Sequence, residues 1–86
     1  MTYIHFMNKR KAKIVSDNLI SILIEEQKKR GVTNYQISKT TGLSESALSY
    51  IKDFKQTPTL PTLIMIADAL NYPLSEAFKK VENLDN

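Results

Sequence analysis

The chain has 86 residues and a net charge of +3, enough for one small domain and too few for a catalytic domain beside a regulatory one. Hydrophobic residues at 42% with two glycines and three prolines suit a compact helical domain and exclude a disordered tail or a turn-rich sandwich. There is no cysteine, so a disulfide scaffold and a thiolate zinc site are excluded, and a reducing compartment, the cytoplasm, is the natural setting.

The opening MTYIHFMNKRKAKI places its charges after the apolar residues, unlike an export leader, and no apolar run approaches the roughly 20 residues of a membrane helix. Lys9, Arg10, Lys11 and Lys13 give residues 1–14 a charge of +4, whereas residues 15–86 carry eight Lys or Arg against nine Asp or Glu. The whole basic excess therefore lies in the first 14 residues. They read as a flexible basic arm, suited either to tracking phosphates by counterion release or to keeping a small protein in solution. Met7 offers an alternative start. Residues 2–7, in which Tyr3 and His5 alternate with Ile4 and Phe6, could form a short strand pairing two copies.

A first helix is expected over residues 16–30, with Ser16 as N-cap, Val15 and Ile20 as a hydrophobic staple and Gly31 as the left-handed stop. Leu19, Ile20, Leu23 and Ile24 form its buried stripe, and nothing on its polar face converges chemically. Two short helices follow, over 34–40 and 44–52, separated only by Thr41-Gly42-Leu43. A turn that short needs one residue in the left-handed region, which glycine enters without steric penalty. Ser44 caps the second short helix, and Ile37, Leu43, Leu48 and Ile51 fall where two crossing helices pack together.

LPTLIMIADALNYP reads as another helix, with Thr59 as N-cap, Pro61 in the first turn and Asn71 in a left-handed C-terminal position. Leu60, Leu63, Ile64, Ala67 and Leu70, widened by Met65 and Ile66, make it central to the core. LSEAFKKV forms a last helix with Leu74, Ala77, Phe78 and Val81 at helical spacing, Phe78 being most simply a core residue, with it or Val81 as the alternative contributor to a dimer contact, and residues 83–86 fray.

In order, Gly31-Val32-Thr33, Ile37-Ser38, Thr41-Gly42-Leu43-Ser44, Pro58-Thr59-Leu60 and Ala67-Asp68-Ala69-Leu70 resemble the pattern of the helix-turn-helix DNA-binding regulators of the phage Cro and C1 repressor type, the XRE family. The resemblance spans about residues 16–80. It implies an all-α, five-helix, lambda-repressor-like DNA-binding domain over residues 15–82, with the motif at 34–53 and the basic arm in front. Ser38 stands where the family usually has alanine, and Lys52-Asp53-Phe54 where it often has a glutamate, a variable residue and glycine. Phe54 cannot take the left-handed conformation cheaply, so the loop over 53–58 is expected to follow a different path.

By that resemblance the helix over 44–52 enters the major groove of double-stranded DNA, and Glu45, Ser46, Ala47, Ser49 and Tyr50 meet base edges. Asn34, Ser44, Lys52, Lys55, Gln56 and Thr57 are the expected phosphate contacts, and Lys9, Arg10, Lys11 and Lys13 reach along the DNA. One such motif reads few base pairs, so a homodimer is implied, pairing through residues 74–84 or 2–7. The implied function is sequence-specific transcriptional regulation, as a repressor occupying promoter DNA. An antitoxin or protein-interaction module on the same fold is the alternative. No metal or cofactor is expected, and with His5 the single histidine and no phosphate-cradling glycine loop, neither is an enzyme.

Overall fold

The computed structural model describes residues 8–84 as five helices, α1 (Lys9–Arg30), α2 (Asn34–Thr41), α3 (Glu45–Lys52), α4 (Leu60–Ala69) and α5 (Leu74–Leu84). The possible pairing strand at residues 2–7 lies outside the described residues. α2 and α3 have eight residues each, too few to hold a helix alone in water, so packing supplies their stability.

α1 lies against α5 and α3, α2 against α3 and α4, and α4 against α5. One core joins Leu19, Ile20 and Leu23 to Ile37, Leu48, Ile51, Leu63, Leu70 and Val81. Ile37, Leu48 and Leu70 are the largest fully buried side chains, each stabilising the fold by about 1.5–3 kcal/mol. These residues come from all five helices, so the motif helices cannot loosen without opening the whole core.

α1 starts at Lys9 rather than Ser16. Asn8 caps it, its Oδ1 accepting from Lys11 N at 2.9 Å, and the Lys13–Asp17 pair at 2.7 Å supports the early turns one helical turn apart. Residues 9–14, expected as a flexible arm, are thus exposed helix. Ser16 becomes a mid-helix residue, its Oγ buried with no hydrogen-bond partner among the described residues.

Three helices end in the same way. Beyond α1, α3 and α4, Gly31 (φ 65°), Phe54 (φ 62°) and Asn71 (φ 55°) take the left-handed conformation. In each case the next residue donates back across the last turn, as in Val32 N to Gln27 O, Lys55 N to Tyr50 O and Tyr72 N to Ala67 O. Phe54 therefore does what its bulk argued against. The loop follows the glycine-type path, the two backbone hydrogen bonds of Phe54 N and Lys55 N offsetting a strain of about 1–2 kcal/mol. Gly42 (φ 82°) makes the turn between α2 and α3 as expected.

Core assignments change on two helices. On α4, Leu63, Ile66, Ala67 and Leu70 are buried, whereas Leu60, Ile64 and Met65 are exposed. On α5, Ala77 and Val81 are buried and Phe78 is exposed. α4 packs mainly against α2 and α5, and Leu60, Ile64 and Met65 lie on the side of its apolar surface left open among the described residues. Thr59 sits at the N-cap of α4, but its hydroxyl pairs with that of Thr62 (3.1 Å) rather than with the helix backbone. α5 holds its helical form through Leu84.

α1 also buries two polar residues beside its apolar stripe, Glu26 and Gln27. Glu26 accepts from Arg30 Nε at 3.2 Å and faces Lys29 at 3.5 Å and Lys80 of α5 at 3.7 Å. Burial works to raise the Glu26 carboxyl, but the Arg30 hydrogen bond and the charges of Lys29, Lys80 and Arg30 together hold it below its ordinary value.

Candidate nucleic-acid interface

Ser44 fixes where α3 begins. Its Oγ accepts from Ala47 N at 3.0 Å, satisfying a first-turn donor. Leu48 and Ile51 turn into the core, and at helical spacing this leaves Glu45, Ser46, Ser49 and Tyr50 on the open side. These four line one shallow depression. Tyr50 is 52% exposed, which leaves both ring and hydroxyl accessible, and Ala47 is half-buried at the border of that face.

α2 is set by a reciprocal cap. Thr33 Oγ1 accepts from Gln36 N (3.1 Å) and Gln36 Oε1 accepts from Thr33 N (2.9 Å). Asn34, the first residue of α2, is half-buried, and its Oδ1 accepts from Gln27 Nε2 at 2.9 Å and from Lys52 Nζ at 3.1 Å. Asn34 and Lys52, both expected to face phosphate, are therefore bonded to one another. Lys55, Gln56 and Thr57 stand exposed in the loop after α3, with Ser44 exposed at its start. Lys9, Arg10 and Lys11 are exposed on the first turns of α1, and Lys13 is engaged by Asp17.

Two features of this surface escaped sequence reasoning. Tyr35 is 57% exposed at the second position of α2, with Lys39 Nζ 5.6 Å from its ring centre, a cation–π contact one helical turn long. Gln27 is the other. It stands seven residues after Ile20 and four after Leu23, so a glutamine on an apolar stripe was the signal that it needed a buried partner.

A helix-turn-helix family model matches residues 24–76, from the second half of α1 into α5. The chain belongs to the Cro/C1-type helix-turn-helix family. It is accordingly a DNA-binding transcriptional regulator of the XRE family, which is a regulatory family and not typically an enzymatic one. No match is found among curated proteins or solved structures. Among the described residues no helix is long and apolar enough to cross a membrane, and no group of three or more His, Cys, Asp or Glu could hold a metal ion.

Proposed function

We propose that this helix-turn-helix regulator is a cytoplasmic, homodimeric, sequence-specific repressor that occupies promoter DNA with α3 in the major groove. The observation that carries the reading is the shared depression of Glu45, Ser46, Ser49 and Tyr50 on the open side of α3, a polar face with one aromatic anchor. Glu45 accepts from a cytosine amino group, Ser46 and Ser49 serve either donor or acceptor edges, and Ala47 and the Tyr50 ring meet a thymine methyl. Asn34, Ser44, Lys55, Gln56 and Thr57 hold phosphates on either side. Lys52 supports that row through Asn34. Lys9, Arg10 and Lys11, on a helix rather than a loose arm, add backbone charge contacts, and Lys13 joins them by exchanging Asp17 for phosphate.

Dimerisation is supported by the uncovered apolar residues Leu60 and Ile64 on α4 and Phe78 on α5. Ile64 and Leu74 line one groove between the two helices, and Phe78 lies one turn beyond Leu74. The same exposed residues favour a second reading, a module that binds another protein, such as a toxin.

A titration against the DNA flanking its own gene and against bulk DNA, at two salt concentrations, tests the first reading. Tyr50→Ala should lose discrimination between the two. A variant with Lys9, Arg10 and Lys11 changed to Gln should keep discrimination, with a salt slope shallower by about 1 per lost phosphate contact. If wild type prefers no fragment over bulk DNA while binding a protein partner, the second reading replaces the first.

A further inference from the structure

We propose that Gln27 is a positioning residue for DNA binding: with Lys52 it locks the Asn34 carboxamide so that its Nδ2 group faces outward to a DNA phosphate. The proposal rests on the reading that the α2 N-terminus faces the DNA backbone.

A lysine ammonium can only donate, so the Asn34 atom 3.1 Å from Lys52 Nζ must be the amide oxygen. That removes the two-fold ambiguity of the carboxamide. The same oxygen accepts from Gln27 Nε2 at 2.9 Å, so both of its lone pairs are used. The Nδ2 group, with two N–H donors, has no acceptor among the described residues. It stands on the first residue of α2, beside first-turn backbone N–H groups that the Thr33 cap leaves open.

Gln27 is 8% exposed and borders a small cavity of about 20 Å³ walled by Ile20, Leu23, Ile37 and Leu48. An apolar side chain would suit such a place better unless the amide had a bond to make there, and the bond it makes is to Asn34. The three residues come from α1, α2 and the last turn of α3. The phosphate donor is thereby fixed relative to the end of the helix that enters the groove, and its orientation is set before DNA arrives, so little rotamer freedom is lost on binding.

The test is a double-mutant cycle on DNA affinity with Gln27→Met, which keeps length and packing but cannot hydrogen-bond, and Asn34→Ala. Gln27→Met should weaken binding by about three- to tenfold, equally for specific and bulk DNA because a phosphate contact carries no sequence. In the Asn34→Ala background the same change should have no further effect, whereas a merely structural role would weaken both backgrounds alike. Thermal melts identify a folding failure, and Lys52→Met run through the same cycle supplies the second variant. If Gln27→Met weakens the Asn34→Ala protein by the same factor as wild type, or leaves wild-type affinity unchanged, the proposal is overturned with DNA binding intact. If wild type binds no DNA even at low salt, the DNA reading itself falls, and the proposal with it.

Discussion

Arg30, the last residue of α1, donates from Nη1 to the carbonyl oxygen of Leu70 at 3.0 Å, across 40 residues of sequence. The same nitrogen reaches Asn71 O at 3.2 Å, Nε holds Glu26, and the guanidinium lies 5.6 Å from the Tyr72 ring centre. One planar fork thus satisfies the end of α4 and ties it to α1. A lysine there keeps the charge, but its three donors sit on one nitrogen and cannot span the separate positions that Nε and Nη1 reach. Arg30→Lys should lower stability by about 1–2 kcal/mol, read from the midpoint of a urea titration, because it cannot serve Glu26 and both carbonyls together.

The same junction predicts an acid-sensitive fold. Glu26 is held below its ordinary value in the folded chain, so the unfolded chain binds its proton more readily. The stability it contributes is full above the unfolded glutamate pKa of about 4.3 and is lost as pH falls through the lower, folded one. Melting temperature should drop on acidification below that range. Glu26→Gln should start lower at neutral pH and show a flatter acid limb in the same series of melts.

Phe54 and Gly42 test backbone strain in opposite directions. Phe54→Gly relieves about 1–2 kcal/mol of left-handed strain but adds about 0.5–1 kcal/mol of chain entropy, so a net gain of about 0.5 kcal/mol is expected. Gly42→Ala should cost about 1 kcal/mol. An added Cβ at Gly42 would meet nothing within 4 Å among the described residues, so the loss comes from φ alone. Gly42→Asn, which tolerates that region, should lose less. Chemical denaturation of the three variants orders them.

Ser16→Ala removes a buried hydroxyl without a partner among the described residues and installs a better helix former. It should stabilise the protein by about 1 kcal/mol, a rise in melting temperature of about 4–8 °C. Were Ser16 an N-cap, as the local sequence suggests, the same change would lower it.

How much could be read beforehand differed by region. The short turn at Gly42, the cap at Ser44, the left-handed Gly31 and Asn71, and the inward Ile37, Leu48 and Ile51 were legible because each depends on local geometry, capping chemistry or helical period. The start of α1 was not. Ser16 and Asn8 are both good caps in sequence, and only the continuation of helix through Lys9–Ile14 chose between them. The fate of Leu60, Ile64 and Phe78 was also closed to sequence, since a wide apolar face shows that something could cover it without showing that anything does. Phe54 shows a penalty rightly read and outweighed by two backbone hydrogen bonds.

The sequence by itself determined that there are five helices, their order, the turn and the polar face of α3, because these follow from spacing along one chain. Tertiary structure alone decided that Gln27, Asn34 and Lys52 meet on one oxygen and that Arg30 closes the end of α4. The partners in those contacts are up to 40 residues apart, and which polar atoms meet at that range depends on how the helices cross, which no local pattern encodes.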